Sequence, residues 1–491
     1  MSEEVKLVDT TMRDGHQSLW ACRMRAEAML PVMPDLDAAG FESAEFTVPS
    51  SQFSRAVRDL HEDPWDWLRL GSQRVKDTPL RLHGNATSPF MKVPLVVEEL
   101  LLQKLVGLGI RTARISDPWN EFANLAERLA LFDSHDMSVV VNVIYSESPR
   151  HTTEYFAQKT REAAALKPYR ICFKDVGGLL TPERAAALLP IVVENAGNIP
   201  IEFHGHCSNG FAPYIALMAV DAGISIIHTA IPPLANGCSL PSVFSVVDNL
   251  RARGFQVNVD TERLARISAH LTRVAHVEKL PVGKPLFYEE DLYRHQVPGG
   301  MISNLRFQLA KLGMEHRLPE ALDEASKVRQ DLGYPIMVTP LSQFVGSQAA
   351  LNVITGERYA SVTDELIEYA LGMWGVEAVT HMDPAVRERL LDRPRTSEIQ
   401  SREAGPEVSL EDVRRRFTDG ISDEELITRV LAGVGNQELG LKPSPKEDLS
   451  YEDYARAHNP LAALIDRVSG GQEIKTLHYR DRKYDVNVRR P

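Results

Sequence analysis

The sequence predicts a (β/α)8 TIM barrel followed by a smaller, mainly α-helical domain. Three observations carry that reading. Between residues 5 and 233, short β-rich runs alternate with longer segments of helical period, as parallel strands joined by crossover helices do. There are eight such runs, the number that closes a barrel. Beyond about residue 285 the period-two runs stop, and a chain of 491 residues is longer than one core usually fills.

In chain order, strands are expected at VKLVDTT (5–11), SAEFTVP (43–49), PLRLHGN (79–85), TARISDP (112–118), SVVVNVIYS (138–146), YRICFKD (169–175), IPIEFHGH (199–206) and IIHTAIPP (226–233). Each is short and rich in β-branched or aromatic residues. Between them, VEELLLQKLVGLG (97–109) and TPERAAALLPIVVENAG (181–197) read as amphipathic helices that stop at Gly, with Thr181 suited to the N-cap and Pro182 to the first helical position. The segments ISNLRFQLAKLG, LPEALDEASKVRQDLG, TPLSQFVGSQAALNVITG and DELIEYALGMWG then have helical period. The expected organisation is therefore a barrel over 1–285, a helical domain over 286–435 and an extension over 436–491. Alternation in TLHYRDRKYDVNVRRP suggests a terminal hairpin in that extension. Proline and charge gather across 393–409 and 436–460, as connectors and solvated surface do.

Composition narrows the partners. A formal net charge of −12 lacks the surplus of Lys and Arg that nucleic acid or an anionic membrane demands. No apolar stretch approaches the length of a membrane span, and MSEEVKLVDT does not read as a signal peptide. The four cysteines, Cys22, Cys172, Cys207 and Cys238, show no CxxC spacing, and a cytoplasmic setting is expected.

In such a barrel the carboxyl ends of the strands build the active site. Asp14 and His16 follow strand one, Lys174 and Asp175 end strand six, and His204 with His206 end strand seven. Side chains two apart on a strand point the same way, so the two histidines form half a metal site, and Asp14 supplies a third ligand. The set suits zinc, manganese or cobalt with positions open for substrate. An HxH pair taken alone can equally be two incidental histidines. Lys174, buried beside a cation, should be neutral or paired with an anion. Its neighbour Asp175 points to the opposite face, which leaves Lys174 available as a ligand if carbamylated.

DTTMRDGHQSLWACRMR (9–25) resembles the opening strand and loop of the carboxyltransferase component of biotin-dependent enzymes: pyruvate carboxylase, the oxaloacetate decarboxylase α chain and the transcarboxylase 5S subunit. The likeness continues through EDPWDWLRL (62–70), CFKDVGGLLTP (172–182), EFHGHCSNG (202–210), YRHQVPGGMISNL (293–305) and VTPLSQFVGSQAALNVITGERY (338–359), covering roughly residues 5 to 430. The resemblance implies a metal held by Asp14, His204, His206 and a carboxylated Lys174. It also implies Arg13 and Gln17 on the substrate, and a homodimer. The implied reaction moves carbon dioxide between carboxybiotin and an enolisable 2-oxo acid, with a Lewis acid stabilising the enolate.

Several pocket positions depart from the family pattern. The proton-relaying Thr of GxTSQPS corresponds to Cys238 in NGCSLPS (236–242), where a thiol could relay the proton or simply fill a small buried space. The LRGAN strand end, whose Arg in the family helps seat biotin and substrate, reads LHGNA (82–86), with His83 at the Arg position and Arg81, on the same face two residues earlier, placed to take over its charge on the substrate. HTHD reads HGHC, and the FDVAMRF-type segment reads FSRAVRD (53–59), with Ser54 at its acidic position. These changes leave the ligands intact and make pyruvate a doubtful substrate. No AMKM-like biotinylation site is present, Met91-Lys92 being rejected for want of a flanking hairpin, and no ATP-grasp module is seen. Biotin would come on a separate carrier, charged by a separate biotin carboxylase. The alternatives are a biotin-independent lyase or decarboxylase using Cys238, and a non-catalytic subunit of a carboxylase complex.

Overall fold

Eight short runs of mostly apolar residues pair side by side because each lacks the length to bury itself alone. In the computed structural model they are β1 (Lys6–Asp9), β2 (Ser43–Thr47), β3 (Leu80–His83), β4 (Thr112–Ile115), β5 (Ser138–Ile144), β6 (Arg170–Asp175), β7 (Ile201–Gly205) and β8 (Ile226–Thr229). All pair in parallel, each with the next, and β8 closes on β1. The expected barrel is present, strand for strand. The structure describes residues 4–84, 93–297, 302, 305–306, 309–339, 341–401 and 408–459, with the backbone of 476–480 and 485–489.

The crossover helices cover the outside. Thr181 caps the helix Pro182–Ala196 as its sequence suggests, its hydroxyl accepting from Arg184 N–H at 3.2 Å. Leu188, Leu189 and Val192 of that helix are fully buried in a core shared by the outer faces of the strands and the helical ring.

The lumen is different. Barrel interiors are usually layered with branched apolar residues, but here Glu45, Arg81, Arg114, Glu202 and His228 are all buried among the strands. Glu45 accepts from Arg13 Nε at 2.7 Å and from Arg114 Nε, and Glu202 pairs with Arg81 at 2.8 Å and Arg170 at 3.1 Å. Register explains their meeting. Cys172 lies opposite Glu202 and Lys174 opposite His204 on adjacent strands, so these side chains rise through the lumen in steps of two residues.

A second apolar core gathers residues from Val297 to Leu390, and Trp119 from the loop after β4 enters it, its ring 4.9 Å from that of Tyr369. This helical body sits on the carboxyl-end loops of β4 and β5. Buried Arg329 donates to Ser146 Oγ and the Glu147 carbonyl, both at 3.0 Å, while Glu377 pairs with Arg150 and with Lys159. The chain then returns to the barrel. Val413, Leu426, Ile427, Leu431 and Tyr454 belong to the barrel's core, and Trp65 Nε1 donates to Glu424 O and Thr428 Oγ1, both at 3.0 Å.

In the tail, Thr476–Arg480 and Asp485–Arg489 pair antiparallel. Asn85 and Ala86 of the LHGNA segment, the Met91-Lys92 dipeptide and residues 298–301 lie outside the described residues. No helix among the described residues is long and apolar enough to cross a membrane.

Candidate metal centre

The loop after β1 turns at once into a wide helical turn, Thr11–Gly15, followed by the helix His16–Trp20. That turn brings Arg13 and Asp14 back over the barrel mouth. Gly15 permits it, since a Cβ there would stand 2.7 Å from the Leu234 carbonyl oxygen. Ser18, one turn on, donates to Asp14 Oδ1 at 2.8 Å.

Asp14, His204 and His206 converge. Their ligand atoms all lie within 4.8 Å of one another, and all three residues are buried. Asp14 Oδ2 is 3.3 Å from His204 Nε2, and Asp14 Oδ1 is 3.2 Å from His206 Nε2. The two Nε2 atoms are 3.2 Å apart. His206 Nδ1 donates to the Cys238 carbonyl at 2.8 Å, so its Nε2 is the bare nitrogen. Imidazole nitrogens from the end of β7 and a carboxylate from the turn after β1, facing one point, make a donor set that fits a divalent cation. Burial opposes the charge on Asp14, yet Arg13 and the two imidazoles hold its carboxyl well below the usual range. Burial pushes His204 down, which keeps it neutral, as a ligand must be.

Lys174 stands beside His204 on the neighbouring strand. Burial, and then the guanidiniums of Arg114 and Arg13, push its amine down to about 7. A large share is therefore unprotonated near neutral pH, the form that can add carbon dioxide. Asp175 does point away from it. Its carboxylate accepts from Leu179 N–H at 2.9 Å and Leu180 N–H at 2.8 Å, and burial raises it to about 6.

The remaining candidates divide. Arg13 is shared between Asp14, at 2.7 Å, and Glu45. Gln17 is half-buried in the helix His16–Trp20. His83 ends β3 with its Nδ1 buried and without a hydrogen-bond partner, and burial with Arg13, Arg114 and Lys174 holds the ring well below its usual range. Arg81 is committed to Glu202 deeper in the lumen. The Cys238 thiol donates to the Ser18 carbonyl at 3.1 Å, and burial raises it. His16 turns away, its Nε2 accepting from Met24 N–H at 2.6 Å.

Arg114, which the motifs did not flag, also faces this site. Its Nη1 donates to Asn142 Oδ1 at 2.9 Å, while its Nη2 is buried without a partner. A charged residue inside the apolar run TARIS was the available signal, as His228 was in IIHTA and Glu202 two residues before His204.

The chain is similar to known proteins over most of its length. Residues 4–271 match the HMGL-like family, and residues 292–432 match the conserved carboxylase domain. A pyruvate carboxylase subunit of Methanocaldococcus jannaschii is 36% identical over 393 residues, covering 79% of this chain and 68% of that protein. The methylmalonyl-CoA carboxyltransferase 5S subunit of Propionibacterium freudenreichii subsp. shermanii is 30% identical, covering 78% and 76%. The carboxyl transferase domain of Rhizobium etli pyruvate carboxylase, solved with pyruvate, superposes with a TM-score of 0.77 at 25% identity, covering 94% of this chain and 78% of that one. Against the complete multifunctional pyruvate carboxylase of that bacterium, the chain spans 47% of the length.

Proposed function

This chain belongs to the carboxyltransferase family of biotin-dependent enzymes, and from that membership we propose that it moves carbon dioxide between carboxybiotin on a separate carrier protein and an enolisable 2-oxo acid. The supporting observation is the convergence of Asp14, His204 and His206 beside Lys174 at the mouth of the barrel. A divalent metal is what the family implies, and zinc, manganese or cobalt suits a set of two imidazoles and a carboxylate. Held there, it would supply Lewis acidity at the acceptor's carbonyl oxygen.

The chain's own residues provide the rest. Arg13 and Arg114 give the pocket a positive wall, and the unpartnered Arg114 Nη2 and His83 Nδ1 offer hydrogen bonds to an anionic acceptor. His83 is neutral where the family pattern has a guanidinium, which favours an acceptor other than pyruvate. The protonated Cys238 thiol is suited to hold the proton that passes when carbon dioxide is exchanged. Lys174, unprotonated in large part, can form a carbamate, losing one proton as its nitrogen bonds to carbon dioxide, and so add a fourth ligand, the second that is anionic. We place the protein in the cytoplasm as a homodimer, partnered by separate biotin carrier and biotin carboxylase proteins. The relatives named as subunits of larger enzymes support separate partners.

The test is turnover of oxaloacetate by purified, metal-analysed protein, with and without free biotin, following pyruvate release above the spontaneous rate. Biotin-stimulated release that is lost in Lys174→Ala would establish the carboxyltransferase reaction and overturn the preference for an acceptor other than pyruvate. Metal-replete protein with no turnover would overturn oxaloacetate as substrate. Cys238-dependent, biotin-independent cleavage of another acid would favour the lyase reading, which the HMGL-like match keeps open.

A further inference from the structure

Directly beneath the metal-facing layer lies a second cluster of donors, Cys172, Glu202 and His228, all buried and close enough by donor type to hold a cation. Their surroundings argue against that use. Arg81 and Arg170 pair with the two oxygens of Glu202, at 2.8 and 3.1 Å, and Arg114 Nη1 approaches Cys172 Sγ at 3.8 Å. Three guanidiniums around the cluster would repel a metal ion.

What the cluster does make is a chain of hydrogen bonds leading upward. His228 Nε2 lies 2.9 Å from Glu202 Oε2, and His228 Nδ1 lies 3.0 Å from His204 Nδ1. Two neutral imidazoles in contact through nitrogen need one donor and one acceptor. The choice between them is made at the far end. Glu202, clamped by two arginines, offers lone pairs and no proton, so His228 must donate from Nε2. Its Nδ1 is then bare and accepts from His204 Nδ1–H. His204 is left with a bare Nε2, the atom 3.3 Å from Asp14. Glu202, His204 and His228 are at most 1% exposed, so solvent does not compete with this sequence of bonds.

From this geometry we infer that Glu202 and His228 are positioning residues that fix the tautomer and ring orientation of His204, tying the metal-facing layer to the ion pairs of the lumen. The inference rests on the metal-site reading of Asp14, His204 and His206. His206 provides an internal contrast. Its tautomer is set by a backbone carbonyl, that of Cys238, which no substitution on β8 removes. Changes at His228 therefore act on one of the two histidine ligands and leave the other intact.

Cobalt binding to metal-stripped protein, followed by visible absorption and by competition with a chelator, tests this without recourse to turnover. His228→Leu removes the acceptor and is expected to weaken cobalt binding by about 10- to 100-fold with an altered spectrum. His228→Asn puts an amide oxygen where Nδ1 was and is expected to recover most of the affinity. A folded His228→Leu protein with wild-type affinity and spectrum would overturn the inference. Should His228→Leu not fold, nitrogen-15 NMR of histidine-labelled, zinc-loaded wild type reads the tautomers directly. A proton on His228 Nε2 and on His204 Nδ1 supports the chain, and a proton on His228 Nδ1 overturns it. Wild-type protein that takes up no cobalt would instead overturn the metal-site reading on which it rests.

Discussion

Glu45 carries two arginines. It accepts from Arg13 above and Arg114 beside it, and burial makes each charge dependent on the others. Arg114 and Arg13 hold its carboxyl well below the usual range although burial opposes this. Breaking a buried pair by neutralising one partner strands the other, so Glu45→Gln is expected to cost about 3 to 5 kcal/mol in urea unfolding of the folded chain. The residues proposed to hold the metal are legible in the sequence because their spacing is local: HxH at the end of one strand, a lysine before an aspartate on another, an aspartate just past the first. The ion pairs under them are not. Arg81 and Glu202 are separated by |i−j|=121, and no local pattern announces that two inward positions on distant strands will share a layer. Arg81 accordingly reads as a substrate residue from its sequence position, whereas its guanidinium is engaged by Glu202.

Among elements, the turn Thr11–Gly15 depends on one close approach. Gly15→Ala would drive a methyl into the Leu234 backbone, displacing the turn that carries Asp14. The expected result is a loss of about 1 to 3 kcal/mol together with weaker metal uptake, measured on the same preparation by thermal unfolding and metal titration. The helix Thr261–Glu278 shows how an element ties chain ends together. His270 on it donates from Nε2 to the Ala28 carbonyl at 2.8 Å and packs against Tyr451 and Tyr454 of the returning helix Tyr451–Ala457. Its Nδ1 is buried without a partner, and burial lowers the ring to about 4. Below the unfolded value of 6.5 the unfolded chain takes a proton that the folded one refuses. The stability contributed by neutral His270 is thus full above pH 6.5 and declines as pH falls toward 4. Across that window, wild type should lose about 3 kcal/mol relative to His270→Gln in parallel urea titrations. The helices themselves are readable from caps and period, as Thr181 and Pro182 attest. Their return to the barrel after residue 408 is not, because amphipathic period tells which face is buried and not against what.

Among the described residues the two large apolar cores meet across a seam in which Arg329, Arg150, Glu377 and Lys159 pair beside an apolar contact of Ile144 with Ile336 and Val338. Burial lowers Arg329 to about 10, yet three carbonyls or hydroxyls from both sides hold it. Arg329→Leu leaves those acceptors unpaired and should separate unfolding into two calorimetric transitions, with cobalt binding to the barrel unchanged; a single unaltered transition would refute it. The barrel itself is legible in the sequence because eight repeats of one pattern outweigh any single misread boundary. Its ionic lumen has a consequence for how the barrel assembles. Sliding a strand by two residues keeps its outward side chains on the outer face, so the apolar pattern alone chooses weakly among such arrangements. A slip of β2, β3, β4 or β7 would part Glu45 from Arg114, or Glu202 from Arg81, and leave a bare charge in a dry interior. The lumen thus acts as a combination lock, rejecting misregistered closures that an oily interior would tolerate, and it delivers His204 and His206 to the height of the Asp14 carboxylate each time the chain folds.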